Sequence, residues 1–122
     1  MKKILFIEDE SALQEALGEM LSQDGYEIVA ALNGEEGLKL AQTKNPNLIV
    51  LDLVLPKIHG LEVLKKLKEN KKTQNIPVIV LTNLETAEDV EKSIKMGATA
   101  YLVKSSYSLE EVTEKIKNFF NK

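Results

Sequence analysis

Leu48-Ile49-Val50-Leu51-Asp52-Leu53-Val54-Leu55-Pro56 is the stretch that decides the fold. A short apolar run closed by a carboxylate and a proline-containing loop predicts a buried parallel strand with an acid at its C-terminal tip. The same pattern recurs on either side. Lys3-Ile4-Leu5-Phe6-Ile7 ends in Glu8 and Asp9, Val78-Ile79-Val80-Leu81 ends in Thr82, and Tyr101-Leu102-Val103 ends in Lys104. The C-terminal tips of parallel strands lie along one edge, which is where open α/β sheets bind ligands. That edge gathers three carboxylates, a hydroxyl and an amine, a set suited to a divalent cation and a phosphoryl group.

Amphipathic helices separate the strands. Ser11 is the expected N-cap of a first helix, with Leu13, Ala16, Leu17, Met20 and Leu21 on one face and Gly25 as its stop. Glu27 to Ala31 is a further strand. Asn33 and Glu36 have capping-box spacing for a helix running to about Lys44, and Asn45-Pro46-Asn47 is a turn. Gly60 opens a third helix carrying Leu61, Leu64 and Leu67, and Glu69 to Asn75 reads as a solvated loop. Thr86 and Asp89 cap a fourth helix with Val90 and Ile94 inward; its apolar stripe is thin, so it should be the least firmly held. Met96-Gly97-Ala98 closes it. Ser108 caps a last helix with Leu109, Val112, Ile116, Phe119 and Phe120 on one face, running almost to Lys122. Five βα units with right-handed crossovers predict a three-layer α/β/α sandwich, a flavodoxin-like doubly wound (βα)5 fold with parallel strand order 2-1-3-4-5. The whole of 1–122 reads as one domain, with no linker and no second domain after the last helix.

Composition narrows the function. The chain has 122 residues, 43% hydrophobic and 29% charged, ordinary for a globular domain. A net charge of −3 does not favour nucleic acid or an anionic membrane as partner. There is no cysteine, hence no thiol nucleophile or thiolate metal site. Only four apolar residues follow Met1-Lys2-Lys3 before Glu8, too few for a signal-peptide core, and no apolar run approaches the roughly 20 residues that span a bilayer. A cytoplasmic protein is expected.

The edge chemistry follows from the residue types. Glu8, Asp9 and Asp52 can supply carboxylates to Mg²⁺, a small cation that takes oxygen ligands and relieves their mutual repulsion. A carboxylate beside such a cation can attack phosphorus to give an aspartyl phosphate. Thr82 and Lys104 can hold two phosphoryl oxygens. Singly, each of these residues reads equally well as a cap, a turn residue or a surface lysine; the joint pattern over four of the five strands carries the weight.

At these residues the sequence resembles the receiver domain of two-component response regulators, in the single-domain, chemotaxis-regulator-like form. Glu8-Asp9, Asp52-Leu53 with Pro56 and Gly60, Thr82, Tyr101 and Lys104 carry the resemblance. It implies Asp52 as phosphoacceptor, Glu8, Asp9 and Asp52 with the Val54 backbone carbonyl as the Mg²⁺ (or Mn²⁺) site, and Lys104 as the phosphoryl-binding amine. Thr82 and Tyr101 would be the switch residues. It also implies a phosphohistidine donor on a histidine kinase or histidine phosphotransfer protein. A downstream protein would bind the face made by the fourth helix, fifth strand and fifth helix. The chain would not be a conventional enzyme; it would catalyse its own phosphoryl transfer and slow hydrolysis. Three positions depart from the family pattern. Ser105 stands where proline with a cis bond is common, and such a bond before serine costs roughly 2.5–4 kcal/mol. Asn83 replaces a small residue, and Val54 and Leu84 put apolar side chains beside the expected phosphoryl position.

Three other chemistries compete for the same edge. A haloacid-dehalogenase-type phosphatase needs a second acid two residues after the nucleophile, where Val54 stands. A flavin binder needs a phosphate loop where Glu8-Asp9-Glu10 would repel phosphate. A receiver-like unit that only binds protein is a third alternative. His59, the lysines Lys65, Lys66, Lys68, Lys71 and Lys72, and Tyr107 read as a loop residue, a solvated helix face and a turn aromatic or partner contact.

Overall fold

The structure is a computed structural model that describes residues 2–121. Five strands, β1 (Lys3–Ile7), β2 (Glu27–Ala31), β3 (Leu48–Leu51), β4 (Val78–Thr82) and β5 (Ala100–Val103), alternate with helices α1 (Ser11–Gln23), α2 (Gly34–Lys44), α3 (Gly60–Glu69), α4 (Ala87–Lys95) and α5 (Leu109–Phe120). A short 3₁₀ turn, Lys104–Ser106, links β5 to α5. The sheet is parallel throughout with order β2-β1-β3-β4-β5, so the doubly wound fold expected from the sequence is the one observed. The order is a consequence of chain direction: the first crossover runs one way and the later ones the other, so strand tips β1 and β3 meet where the winding reverses.

Two buried clusters cover the sheet. Leu5, Ile7, Ile49, Leu51, Val78 and Val80 pack on one face with Val63, Leu64 and Leu67 of α3. Ile4, Phe6, Leu48, Val50, Ile79 and Leu81 pack on the other with Leu17 and Leu21 of α1 and Val112 and Ile116 of α5. Strand residues alternate between the clusters because successive side chains point to opposite faces. With both faces covered, β1, β3 and β4 carry continuous apolar runs, Ile4–Ile7, Leu48–Leu51 and Val78–Leu81, rather than alternating. Among the described residues no helix is long and apolar enough to cross a membrane.

Several local expectations are corrected. Ser11 is not the cap of α1 but its first residue; Glu10 is the N-cap and makes no side-chain cap bond, because its carboxylate is held by Lys104. Asn33 caps α2 through the Glu36 N–H, but the Glu36 carboxylate accepts from Leu32 rather than Asn33. Within the polar 69–75 stretch Thr73 is buried, its hydroxyl donating to the Leu67 carbonyl at 2.6 Å. In α4 the inward residue is Ser93, while Ile94 is 47% exposed and Val90 half-buried; a nine-residue helix meeting the sheet edge on a narrow strip turns Ile94 outside it. Leu109, at the start of α5, is exposed, unlike Val112 and Ile116 further along. Gly25 has φ +94°, the left-handed turn that stops α1. α5 has the reciprocal Ser108–Glu111 capping box. Lys122 lies outside the described residues.

Candidate functional site

Asp52 follows β3 directly and is 3% exposed. Its position is fixed by backbone on three sides. Its N–H donates to the Ile7 carbonyl at 3.0 Å, continuing the β1–β3 ladder beyond the strand. The next side chain, Leu53, is completely buried. Gly60 donates its N–H to the Leu53 carbonyl at 2.9 Å, tying the loop to the first turn of α3. Asp52 Oδ1 then accepts the Val54 N–H at 3.1 Å, the local turn that an aspartate makes with the second residue beyond it.

Glu8 follows β1 and is also fully buried. Its N–H donates to the Ala31 carbonyl, and its Oε2 accepts the Glu10 N–H, both at 3.0 Å. Beneath it lies a residue that sequence reasoning missed, Gln14. The Gln14 amide nitrogen stands 3.1, 3.3 and 2.9 Å from the carbonyls of Phe6, Glu8 and Ala31, so it clamps the tips of β1 and β2. The available signal was a polar residue beside the apolar stripe of α1.

Lys104 enters from the end of β5. Its Nζ lies 2.8 Å from Asp52 Oδ2, 2.8 Å from Glu8 Oε1 and 3.0 Å from Glu10 Oε1. The contacts to Asp52 and Glu10 are hydrogen bonds. Glu8 Oε1 is charge-paired with Lys104 but accepts no well-directed hydrogen bond, and it is buried. Burial pushes the Glu8 carboxyl up to about 7; Lys104 and the Glu10 N–H pull it down, and the charge of Asp52 adds to the rise. Burial works to lower the Lys104 ammonium, but Asp52, Glu8 and Glu10 outweigh it and hold it above its ordinary value.

Asp9 is exposed, and one carboxylate oxygen each from Glu8, Asp9 and Asp52 lie within 4.8 Å of one another. A hard oxygen donor set that includes a buried oxygen without a hydrogen bond fits a divalent cation. Asp9, Glu10, Asp52, Val54, Asn83 and Lys104 line an open cleft of about 270 Å³ above these groups.

The remaining expected residues divide. Asn83 is exposed and lines the cleft, as does Val54, 54% exposed. Leu84, expected beside them, is half-buried and packs against the core cluster on the α3 side. Thr82 is fully buried at the tip of β4, and its hydroxyl accepts the Leu84 N–H at a long 3.5 Å. Tyr101 donates its hydroxyl to the Leu84 carbonyl at 2.7 Å. Burial, then the charges of Asp89 and Asp52, raise the Tyr101 hydroxyl pKa above its usual value. Both backbone groups of Leu84 are therefore held by the two residues expected to act as switches. No peptide bond among the described residues is cis, so the Lys104–Ser105 bond is trans. His59 caps α3, its Nδ1 accepting the Leu61 N–H, which accounts for the single histidine structurally.

Comparison with known proteins places this arrangement. The family model described as response regulator receiver domain matches residues 4–117. The alkaline phosphatase synthesis transcriptional regulatory protein PhoP of Bacillus subtilis is 39% identical over 116 residues, covering 95% of this chain and 47% of that protein. The DNA-binding dual master transcriptional regulator RpaA of Synechocystis is 35% identical over 117 residues, covering 96% of this chain and 48% of its own. The chain thus spans about half the length of these relatives. Among solved structures, the Mn²⁺-bound form of response regulator Rcp1 superposes with a TM-score of 0.87 at 34% identity, over 98% of this chain and 94% of that one. A CheY-like receiver domain protein from Methanospirillum hungatei gives 0.90 at 29%, over 99% and 94%.

Proposed function

The chain belongs to the response regulator receiver domain family of two-component signalling modules, and we propose that Asp52 is its phosphoacceptor. The observation that carries this is the contact of Lys104 Nζ with Asp52 Oδ2 at 2.8 Å on the wall of an open cleft, beside carboxylates grouped for a cation. Receiver domains of this family interact with histidine kinases and downstream effectors. For this chain the donor is a phosphohistidine on a kinase or phosphotransfer protein.

In the transfer an Asp52 carboxylate oxygen attacks phosphorus in line, the P–N bond breaks, and the imidazole leaves with the bonding electron pair. Glu8, Asp9 and Asp52, with the Val54 carbonyl, would hold Mg²⁺ or Mn²⁺; that cation would supply charge neutralisation for the phosphoryl oxygens. Lys104 is already oriented by Asp52 and donates to a phosphoryl oxygen once the acceptor oxygen is esterified. Thr82 moves towards the phosphoryl group and gives up its long contact to Leu84. The Leu84 segment and the Tyr101 hydroxyl bonded to it then rearrange, carrying the change to the surface of α4, β5 and α5. The same cleft admits water, so the chain also catalyses slow loss of its own phosphoryl group.

Intact-mass spectrometry after incubation with acetyl phosphate and Mg²⁺ tests the reading. One phosphoryl adduct is expected in the wild type and none in Asp52→Ala. An adduct of equal yield in Asp52→Ala would place the acceptor elsewhere.

A further inference from the structure

Glu10 is the part of the site that the metal and phosphoryl roles do not use. It lies next to Asp9 at the mouth of the cleft, and its side chain is 61% exposed. Its Oε1 nevertheless holds Lys104 Nζ at 3.0 Å, although that ammonium already has Asp52 and Glu8 at 2.8 Å each. Three carboxylates therefore share one amine. The amine has three protons and no acceptor; two are committed to hydrogen bonds with Asp52 and Glu10, and Glu8 shares its charge. An incoming phosphoryl oxygen competes with these carboxylates for the ammonium. Asp52 is the nucleophile, and Glu8 is fully buried and bound to the Glu10 N–H. Glu10 is the partner able to leave, since its carboxylate alone has solvent to receive it.

We propose that Glu10 is a positioning residue that selects among phosphodonors by charge. It holds Lys104 away from an incoming phosphoryl oxygen and adds a fourth negative charge to the rim that a donor must cross. Both effects work against a small anionic donor, and more strongly the greater its negative charge. A protein donor that presents a lysine or arginine opposite Glu10 removes both at once, by drawing the carboxylate off Lys104 and neutralising the rim. The chemical class so favoured is a phosphohistidine on a surface with a cation beside it. This inference rests on Asp52 being the acceptor.

The test compares wild type, Glu10→Gln and Glu10→Asp with two small donors in Mg²⁺ buffer. Acetyl phosphate is dianionic at neutral pH; its P–O bond breaks and acetate leaves with the electron pair as Asp52 bonds to phosphorus. Phosphoramidate carries one net negative charge and loses ammonia. The second-order rate of Asp52 phosphorylation by acetyl phosphate is expected to rise about two- to fivefold in Glu10→Gln at low salt, the scale of one exposed charge pair. The rise should be smaller with phosphoramidate and fade at high salt. Glu10→Asp, one methylene shorter, keeps the charge and should stay nearer the wild-type donor ratio. In metal-free protein without donor, the Lys104 ammonium resonance should shift in Glu10→Gln, a readout independent of phosphorylation. An unchanged ratio of the two donor rates, or an unmoved Lys104 resonance, overturns the assignment of Glu10 while leaving Asp52 as acceptor. Absence of an adduct in the wild type overturns both.

Discussion

Replacing Gly60 by alanine tests how closely the loop behind Asp52 is built. A Cβ there would lie 2.3 Å from Leu53 Cα and 2.5 Å from the Asp52 carbonyl oxygen. Both are backbone atoms, so no side chain can rotate away. Ordinary contact begins at 3.4 Å, and the loop and helix must therefore separate by about 1 Å. Overpacking of that kind costs about 1–3 kcal/mol. The same separation strains the Gly60 N–H to Leu53 bond, now 2.9 Å, which contributes roughly 0.5–1.5 kcal/mol. Alanine returns at most about 1 kcal/mol of helix propensity. The net loss is centred on about 2–3 kcal/mol, or a fall in melting temperature of roughly 6–15 °C for a chain of this size. Gly18→Ala is the control: its Cβ would meet only Ile28 Cγ2, at 3.5 Å. With no clash, the mid-helix change should stabilise by about 0.5–1 kcal/mol. Thermal and urea unfolding of the two variants in metal-free buffer measures both. Gly60→Ala should also slow phosphorylation, because the displaced atoms belong to Asp52 and Leu53. A Gly60→Ala protein that melts with the wild type, while Gly18→Ala rises as expected, would refute the reasoning.

Asp52→Asn should raise the urea midpoint in metal-free buffer, by about 1 kcal/mol, since it removes one charge beside Glu8 and leaves Lys104 two carboxylates; Mg²⁺ should shrink the gain, and a lowered metal-free midpoint would contradict it. Glu8 goes from 4.5 to about 7 on folding, so the folded protein binds the extra proton and metal-free stability should fall as pH rises through that window. Lys104, raised from 10.5, holds its contribution throughout that window, so Glu8→Gln should flatten the decline, and an unaltered slope of midpoint against pH would count against the assignment. Thr82→Ala should still accept the phosphoryl group but lose the amide shifts around Glu88 to Val103; identical shifts in both proteins would exclude Thr82 as the link. Val54→Asn should release phosphate faster than wild type by less than about 10²-fold, because a polar group at the cleft wall can orient the attacking water, and equal rates would show that this side chain does not gate it.

The fold was legible because each strand carries its own punctuation. The apolar runs ending at Ile7, Leu51 and Leu81 sit at the centre of the sheet and are buried on both faces, the condition under which a continuous apolar run has one reading. Helices with a full stripe, such as α5, were equally plain. α4 was the weak point, because two apolar residues cannot fix the rotation of a helix that touches the sheet on one narrow strip. Ser93, and not Ile94, took the inward place. Ser11 failed as a cap for a different reason: the residue before it is held across the sheet edge by Lys104, an interaction 94 positions away in sequence that no local pattern contains.

The same non-local contact changes what the acidic edge means. Taken as strand tips, Glu8, Asp9 and Asp52 are three repelling charges that wait for a cation. In the folded chain Lys104 already stands among them, 2.8 Å from the two buried carboxylates, and does part of the cation's work before any metal arrives. The metal-free fold is therefore held by an internal counter-ion, and a bound cation would share the same carboxylates with it. Glu8, Asp9 and Asp52 would hold a divalent ion, and it would supply the same charge neutralisation that Lys104 supplies without it. A Lys104→Met chain should accordingly depend on Mg²⁺ for stability far more than the wild type does. Removing one partner of a buried charge pair costs about 3–5 kcal/mol, an upper bound here because Glu8 can take up a proton instead. Unfolding midpoints of Lys104→Met with and without Mg²⁺ decide the point: a metal-induced gain no larger than that of the wild type would mean that Lys104 and the cation do not share the same charges.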